Sequence, residues 1–388
     1  MSSAPDFDPL SPAMLEDPYP VYADLQEKHP VFWHEKVGAW VVTRYDDCRE
    51  VLRNSELFVR DPRRVSEVSA ESGESIQGLD VNAQSELRRL VTGSIHDQDL
   101  EEIGRRVRAS IDRIFEGVLA RPSFDWMIEV SARLSGMITA DFLGVTEPDP
   151  QVFKTIVEGM ARKFDADLSE PDPEAEQRVR DAFGGLIDGW LSSPETHGTM
   201  LTLKNRAAEM GVPVGVIKNL IGLLFIGSFG TIFASSGSLA HLFIQRPDVF
   251  EKLRDPALLG TGVEEFLRFD GPTQATSRMA KQETRVSGVT IKQGDPVFVV
   301  LAAANRDPRQ FPRPHELVLD RAPNRHLGFG WGPHSCLGSL FGQLALRELT
   351  RAVHDAPGPL RLAGTPFRLP TTTVRSFASL PVSFQPES

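Results

Sequence analysis

Ten residues near the C-terminus, Phe329-Gly-Trp-Gly-Pro-His-Ser-Cys-Leu-Gly338, carry the strongest signal in this chain. Gly328, Gly330, Gly332 and Gly338 let the backbone take positive φ and pass close to something flat or bulky. Cys336 stands just before an apolar helical run, where helix N-terminal amides favour a thiolate. A thiolate in a loop stripped of side chains is suited to holding a metal from one side. A lone Gly-x-Gly would read as an ordinary turn beside a small buried thiol. The full pattern Phe-Gly-x-Gly-x-His-x-Cys-x-Gly is far more specific.

Outward from the cysteine, a helix is expected over about 337 to 355, and a Pro-rich irregular stretch over 307 to 325. Strand-like pieces precede it around Thr284 to Ile291 and Pro296 to Leu301. From about Asp46 to Arg268 the pattern is helical, punctuated by prolines. The longest helix should run from Pro213 to Gln245 and stop at Arg246-Pro247, spanning on the order of 50 Å. Its uncharged stretch, Asn219 to Ala240, meets the length criterion for a membrane span. Gly222, Gly227, Ser228, Gly230 and the run Ser235-Ser-Gly-Ser238 make its far half too polar for lipid, so a core helix of a soluble protein is expected. Near the N-terminus a helix over Pro20 to Lys28 leads into a hairpin of Val31–His34 and Ala39–Thr43, turning at Gly38.

The composition agrees with a soluble protein: 388 residues, 40% hydrophobic and 24% charged. Without repeats or Gly/Ser linkers, one domain over residues 1–388 is expected, mainly α with small β-sheets. A net charge of -11 opposes nucleic-acid binding and docking on anionic membranes. Two cysteines, Cys48 and Cys336, cannot make a disulfide framework, and the acidic N-terminus lacks signal-peptide character. A cytoplasmic protein follows as the expectation, with Cys48 as packing.

The cysteine segment resembles the haem-binding signature of the cytochrome P-450 superfamily. Glu265-Phe-Leu-Arg268 is similar to its Glu-x-x-Arg pair, and Arg278 to its propionate-binding arginine. Ala304-Asn-Arg-Asp-Pro308, Phe311, Pro314 and Asp320-Arg321 resemble the meander before the loop. Asp17-Pro-Tyr-Pro20, Trp40-Val-Val-Thr-Arg-Tyr-Asp46 and Arg375-Ser-Phe-Ala-Ser-Leu-Pro-Val-Ser-Phe384 resemble the ends of soluble bacterial members. The resemblance implies an α+β triangular prism with haem b between a long distal helix and the cysteine-loop helix. It also implies Cys336 as axial thiolate, favouring O–O cleavage. His334, Arg278, Arg88 and Gln84 would contact propionates, while Phe329 and Gly330 would shape the thiolate's surroundings. Glu265 and Arg268 would be structural.

The family's acid–alcohol pair is missing. In the register Ile226-Gly-Ser-Phe-Gly-Thr231, Phe229 takes the carboxylate position and Gly230 the alcohol position, leaving Thr231 as the second threonine. Phenylalanine relays no proton and glycine has no side chain. The family's Pro-Pro-Glu-His-Thr-Arg-Leu-Arg is here Val81-Asn-Ala-Gln-Ser-Glu-Leu-Arg88, with Gln84 for histidine. The common Ala-Arg-x-Glu after the cysteine is Gly342-Gln-Leu-Ala345. A monooxygenase of secondary-metabolite biosynthesis with substrate-assisted or non-standard oxygen activation is expected. The alternatives are a haem-containing binding module without turnover and a peroxide-driven peroxygenase.

The same resemblance places Ile226, Phe229, Thr273, Gln274, Phe377 and the loop from Val65 to Gly78 around a small-molecule substrate. No flavin or nicotinamide segment is recognisable, so ferredoxin and a ferredoxin reductase are the expected electron donors to a monomeric enzyme. Arg306, Arg309, Arg313, Arg321 and Arg325 suggest a basic docking face on the cysteine side.

Overall fold

In the computed structural model, residues 7–60, 81–149, 152 and 173–384 are described. The expected substrate loop from Val65 to Gly78 and the side chain of Gln84 lie outside them.

Helices make most of the protein, each bounded by local chemistry. α1 (Pro12–Glu16) and α2 (Tyr19–Lys28) both carry proline in their first turn, where its missing N–H costs nothing. α3 (Tyr45–Arg53), α4 (Val81–His96) and α5 (Leu100–Glu116) follow; the Asp99 carboxylate caps α5 by accepting from the amides of Glu101 and Glu102. A π-helical turn, Met127–Ala132, runs into α6 (Arg133–Leu143). Then come α7 (Pro173–Ser192), α8 (Gly198–Glu209) and the long α9 (Val214–Gln245). α9 ends because Arg246 precedes Pro247, which disfavours helical backbone at Arg246. Proline opens both α10 (Pro247–Lys252) and α11 (Pro256–Asp270), the latter capped by Asp255. α12 (Leu301–Ala304) and α13 (Ser339–Asp355) complete the set.

By length and apolar character α9 is able to cross a membrane. Here it packs against α6, α7, α8, α10, α13 and the π-helical turn, and residues 234–243 are buried without a break. Two of its serines, Ser228 and Ser236, are satisfied inside, whereas the buried Ser238 hydroxyl has no partner among the described residues. Ser236 Oγ accepts from Trp126 Nε1 at 3.0 Å and from Ser131 Oγ at 3.1 Å, and Ser228 bonds Thr139 at 2.9 Å. A hydroxyl desolvated without a partner would cost about 1–3 kcal/mol, so these pairs let a Ser-rich helix serve as core.

β1 (Val31–His34) and β2 (Ala39–Val42) form the expected hairpin around Gly38. β3 (Phe58–Val59) is an edge strand; β4 (Phe124–Asp125) belongs to a small second sheet. β5 (Ala275–Ala280) lies in a segment where no strand was expected. β6 (Thr284–Val286) and β7 (Val289–Ile291) divide the expected 284–291 strand into a tight hairpin turning on Ser287 and Gly288, both at positive φ. β8 (Pro296–Val300) pairs in parallel with β2 and antiparallel with β5, giving the order β1-β2-β8-β5-β3. β9 (Arg361–Leu362), β10 (Phe367–Arg368), β11 (Phe377–Ser379) and β12 (Pro381–Ser383) close the chain in two small sheets. Cys48 is fully buried on α3, donates its thiol to Val42 O at 3.3 Å, and has its pKa pushed well up by burial: a packing residue.

Candidate active site

The cysteine loop is pressed against the end of α3. Gly332 has φ +74°, and a Cβ there would sit 2.8 Å from Arg53 Cα and 3.0 Å from Leu52 O. Only glycine meets both demands. Gly332→Ala is expected to cost about 1–2 kcal/mol from the left-handed backbone alone, more once the loop lifts from α3. A urea midpoint equal to wild type would show that this contact does not fix the loop.

Past the one-turn helix Gly332–His334, the Cys336 amide donates to Phe329 O at 2.8 Å, closing the loop on itself. Arg88 of α4 donates through one Nη to Ser335 O at 2.7 Å and to Ser335 Oγ at 3.0 Å. The residue beside the cysteine is thereby tied to a second helix. Cys336 is accessible, yet it lies deep enough that burial raises its thiol pKa. Both hold for a residue lining an internal hollow. The Gly338 amide and the Arg88 charge act in the opposite sense and favour the thiolate. The Phe329 ring rests beside Gly342 of α13, at contact distance from where a Cβ would be.

Arg278 on β5 is 4% exposed, and its Nε has no partner among the described residues. One Nη donates to Ser277 O at 2.7 Å and more weakly to Thr276 Oγ1. Burial, with the charge of Arg60 second, pulls its pKa down to about 9. Arg60 carried no recognisable sequence signal.

Glu265 and Arg268 lie on one face of α11, both side chains fully enclosed. The Arg268 Nε and one Nη each donate to Glu265 at 2.8 Å, while its other N–H groups reach Asn305 O, Pro314 O and Glu316 O at 2.8–2.9 Å. Glu265 also accepts from Arg321 Nε at 3.0 Å and the Val318 amide at 2.9 Å. This network fastens the irregular chain before the cysteine loop to α11. Two arginines, Arg306 and Arg321, are removed from the expected basic docking face, while Arg309, Arg313 and Arg325 stay exposed. Arg321 is consumed by Glu265, and Arg306 is buried, its guanidinium 3.8 Å from the Tyr19 ring centroid and 3.5 Å from that of Phe269. Arg309 and Arg313 pair with Asp307 and Glu316.

On α9, Gly227 is exposed in mid-helix although Phe225 and Phe229 on either side are buried, and a Cβ on it would meet nothing within 4 Å. Ile226, Gly230 and Thr231 are partly exposed on the same stretch. The Thr231 hydroxyl donates to Gly227 O at 2.7 Å, a back-bond along its own helix. The Phe229 ring is 2% exposed and stacks between Phe225 and Phe233, with centroids 6.3 and 6.2 Å apart. Residues 227 and 229 project roughly 200° apart around an α-helix. Of the other expected pocket residues, Thr273 bridges Val374 and is partly exposed. Gln274 is buried, its amide donating to Gly271 O at 3.0 Å. Phe377 is buried between His241 and Arg368.

A family model described as Cytochrome P450 matches residues 244–351. The mycinamicin IV hydroxylase/epoxidase of Micromonospora griseorubida is 30% identical over 91% of this chain and 90% of its own length. The chain belongs to the cytochrome P450 superfamily. The biotin biosynthesis cytochrome P450 of Bacillus subtilis (strain 168) is 29% identical over 97% of this P450 and 98% of that one. The crystal structure of CalO2, 27% identical, matches this P450 with a TM-score of 0.86 over 98% of this chain and 99% of that one. The α+β P450 architecture expected from the sequence is the one observed. This P450 is an oxidoreductase whose cofactor is haem. Members of the family take electrons from redox partners.

The residues present fit that cofactor. Cys336 offers an accessible sulfur inside the protein, and the bare Gly227 leaves space on α9. Arg278 keeps an unpartnered N–H for an anion, as a buried guanidinium seldom does.

Proposed function

We propose that this P450 is a monooxygenase that oxidises a small organic molecule in bacterial secondary-metabolite biosynthesis, with proton delivery that does not use residues 229 and 230. The observation that carries it is the chemistry of α9 beside the bare Gly227. Gly230 has no side chain, the Phe229 ring is stacked into the core, and the Thr231 hydroxyl is donated to Gly227 O. The names of the relatives, a mycinamicin IV hydroxylase/epoxidase and a biotin biosynthesis cytochrome P450, support the biosynthetic setting.

Thiolate-ligated haem, when bound, supplies dioxygen activation and oxygen insertion. Cys336 would be the protein ligand, its amide tied to the Phe329 carbonyl, with the Gly338 amide and Arg88 working against the burial that raises its thiol pKa. Arg278, His334 and Arg88 would neutralise carboxylates at the cofactor's edge. Glu265 and Arg268 hold the loop without touching the reaction. Ile226, Thr273, Gln274 and the glycines of α9 bound the substrate space, Phe229 and Phe377 support it from behind, and a hydroxyl or amine of the substrate, or water ordered by it, supplies the proton. Ferredoxin and its reductase provide the electrons in the cytoplasm, to a monomeric enzyme.

Two measurements test this. The reduced, carbon-monoxide-bound protein should show the thiolate Soret band. The true substrate should then give much more product per NADH than analogues lacking its hydroxyl or amine; equal coupling for both would remove substrate assistance. Gly230→Thr is expected to lower native-product formation about tenfold or more by filling the space that group needs. Product and rate unchanged in this variant would show that residue 230 has no part in the chemistry.

A further inference from the structure

Strand β3 pairs with β5 in the register Phe58↔Ala280 and Val59↔Met279. Arg60 follows Val59 at the bend that ends β3, and Arg278 precedes Met279 on β5, so the paired strands bring the two arginines next to one another. Burial first, and the charge of Arg60 second, pull the Arg278 pKa down. Two like charges held close together away from bulk water repel one another. Neither arginine sheds its proton under ordinary conditions.

No carboxylate among the described residues offsets either charge. Arg278 is 4% exposed with its Nε unpartnered, and Arg60 is partly buried at the end of its strand. A twinned, desolvated cation of this kind is the complement of a carboxylate, which guanidinium groups take in parallel N–H···O pairs. It does not fit a neutral or cationic ligand.

We propose that Arg60 is a further cofactor-binding residue, which with Arg278 clamps one propionate of the haem between β3 and β5. The proposal rests on the haem-thiolate reading above. It adds a contact from the segment just before residue 61, joining the edge of the main sheet to the cofactor. In the loaded protein the repulsion between the two arginines becomes shared attraction for one anion.

The test uses the haem-loaded enzyme and measures transfer of haem to an excess of an apo-globin scavenger. Arg60→Gln should release haem on the order of tenfold faster, the scale of one lost charge-assisted hydrogen bond. Its reduced carbon-monoxide Soret band should not move, because Cys336 is untouched. Arg60→Lys, which keeps the charge but not the fork, should release haem at a rate between those of wild type and Arg60→Gln. The double variant with Arg278→Gln should release haem more slowly than the product of the two single effects, since both arginines would grip one group. A purely structural Arg60 would give neither the lysine rescue nor the coupling.

Wild-type release rates in Arg60→Gln overturn the proposal. So does unchanged haem release with weaker spin-state titration by a fatty carboxylate, which would assign the pair to a substrate carboxylate instead. Absence of the thiolate band from the wild-type protein would overturn this proposal and the haem-thiolate reading together, and is observed before any variant is made.

Discussion

Arg268→Ala should leave almost no haem-loaded protein. Removing the guanidinium strands the Glu265 carboxylate in a site where it is fully enclosed, with only Arg321, Asn324 and one amide to answer it. It also frees the carbonyls of Asn305, Pro314 and Glu316, which the same guanidinium satisfies. Breaking a buried ion pair by deleting one partner costs about 3–5 kcal/mol, a large part of a typical folding free energy. The chain released is the segment that feeds the cysteine loop, so the loss should appear first as low haem content. Arg268→Lys should rescue little, because one ammonium cannot reproduce a fork serving a carboxylate and three carbonyls. The check is holoprotein yield and urea unfolding followed at the Soret band. A variant within about 1 kcal/mol of wild type, with full haem content, would show the network to be dispensable.

Cys336→Ala should abolish the thiolate-type Soret band of the reduced, carbon-monoxide-bound protein and, with it, turnover. Cys48→Ala should leave that band where it was. The two thiols differ in what surrounds them. Cys48 donates to the Val42 carbonyl in a dry core and is held neutral by burial. Cys336 is accessible, and although burial raises its pKa as well, the Gly338 amide and the Arg88 charge oppose that shift. Losing the Cys48 sulfur should cost under about 2 kcal/mol as a small cavity. A thiolate band retained by Cys336→Ala would assign the axial ligand elsewhere and undo the mechanism.

Local chemistry is what the sequence announced. The loop at 329–338 was legible because its glycines, histidine and cysteine act within ten residues of one another. Prolines 213 and 247 bounded α9 for the same reason: they act on the backbone beside them. Strand β5 was not legible. Ala275-Thr-Ser-Arg-Met-Ala280 has no alternating apolar pattern of its own and is a strand because β8 and β3 lie on either side. Surface charge was misjudged for a related reason, since a guanidinium reads alike whether it faces water or, as Arg306 does, two aromatic rings.

Sequence alone therefore singled out the candidate thiol, its glycine-rich loop and the length of the central helix, all short-range properties of the chain. Tertiary structure alone decided that the Phe229 ring turns into the core and that Arg60, just past β3, comes near Arg278 on β5. Those facts depend on segments more than two hundred residues apart meeting in one register, or on which neighbours a helix face receives. Such contacts leave no periodic trace in either segment by itself.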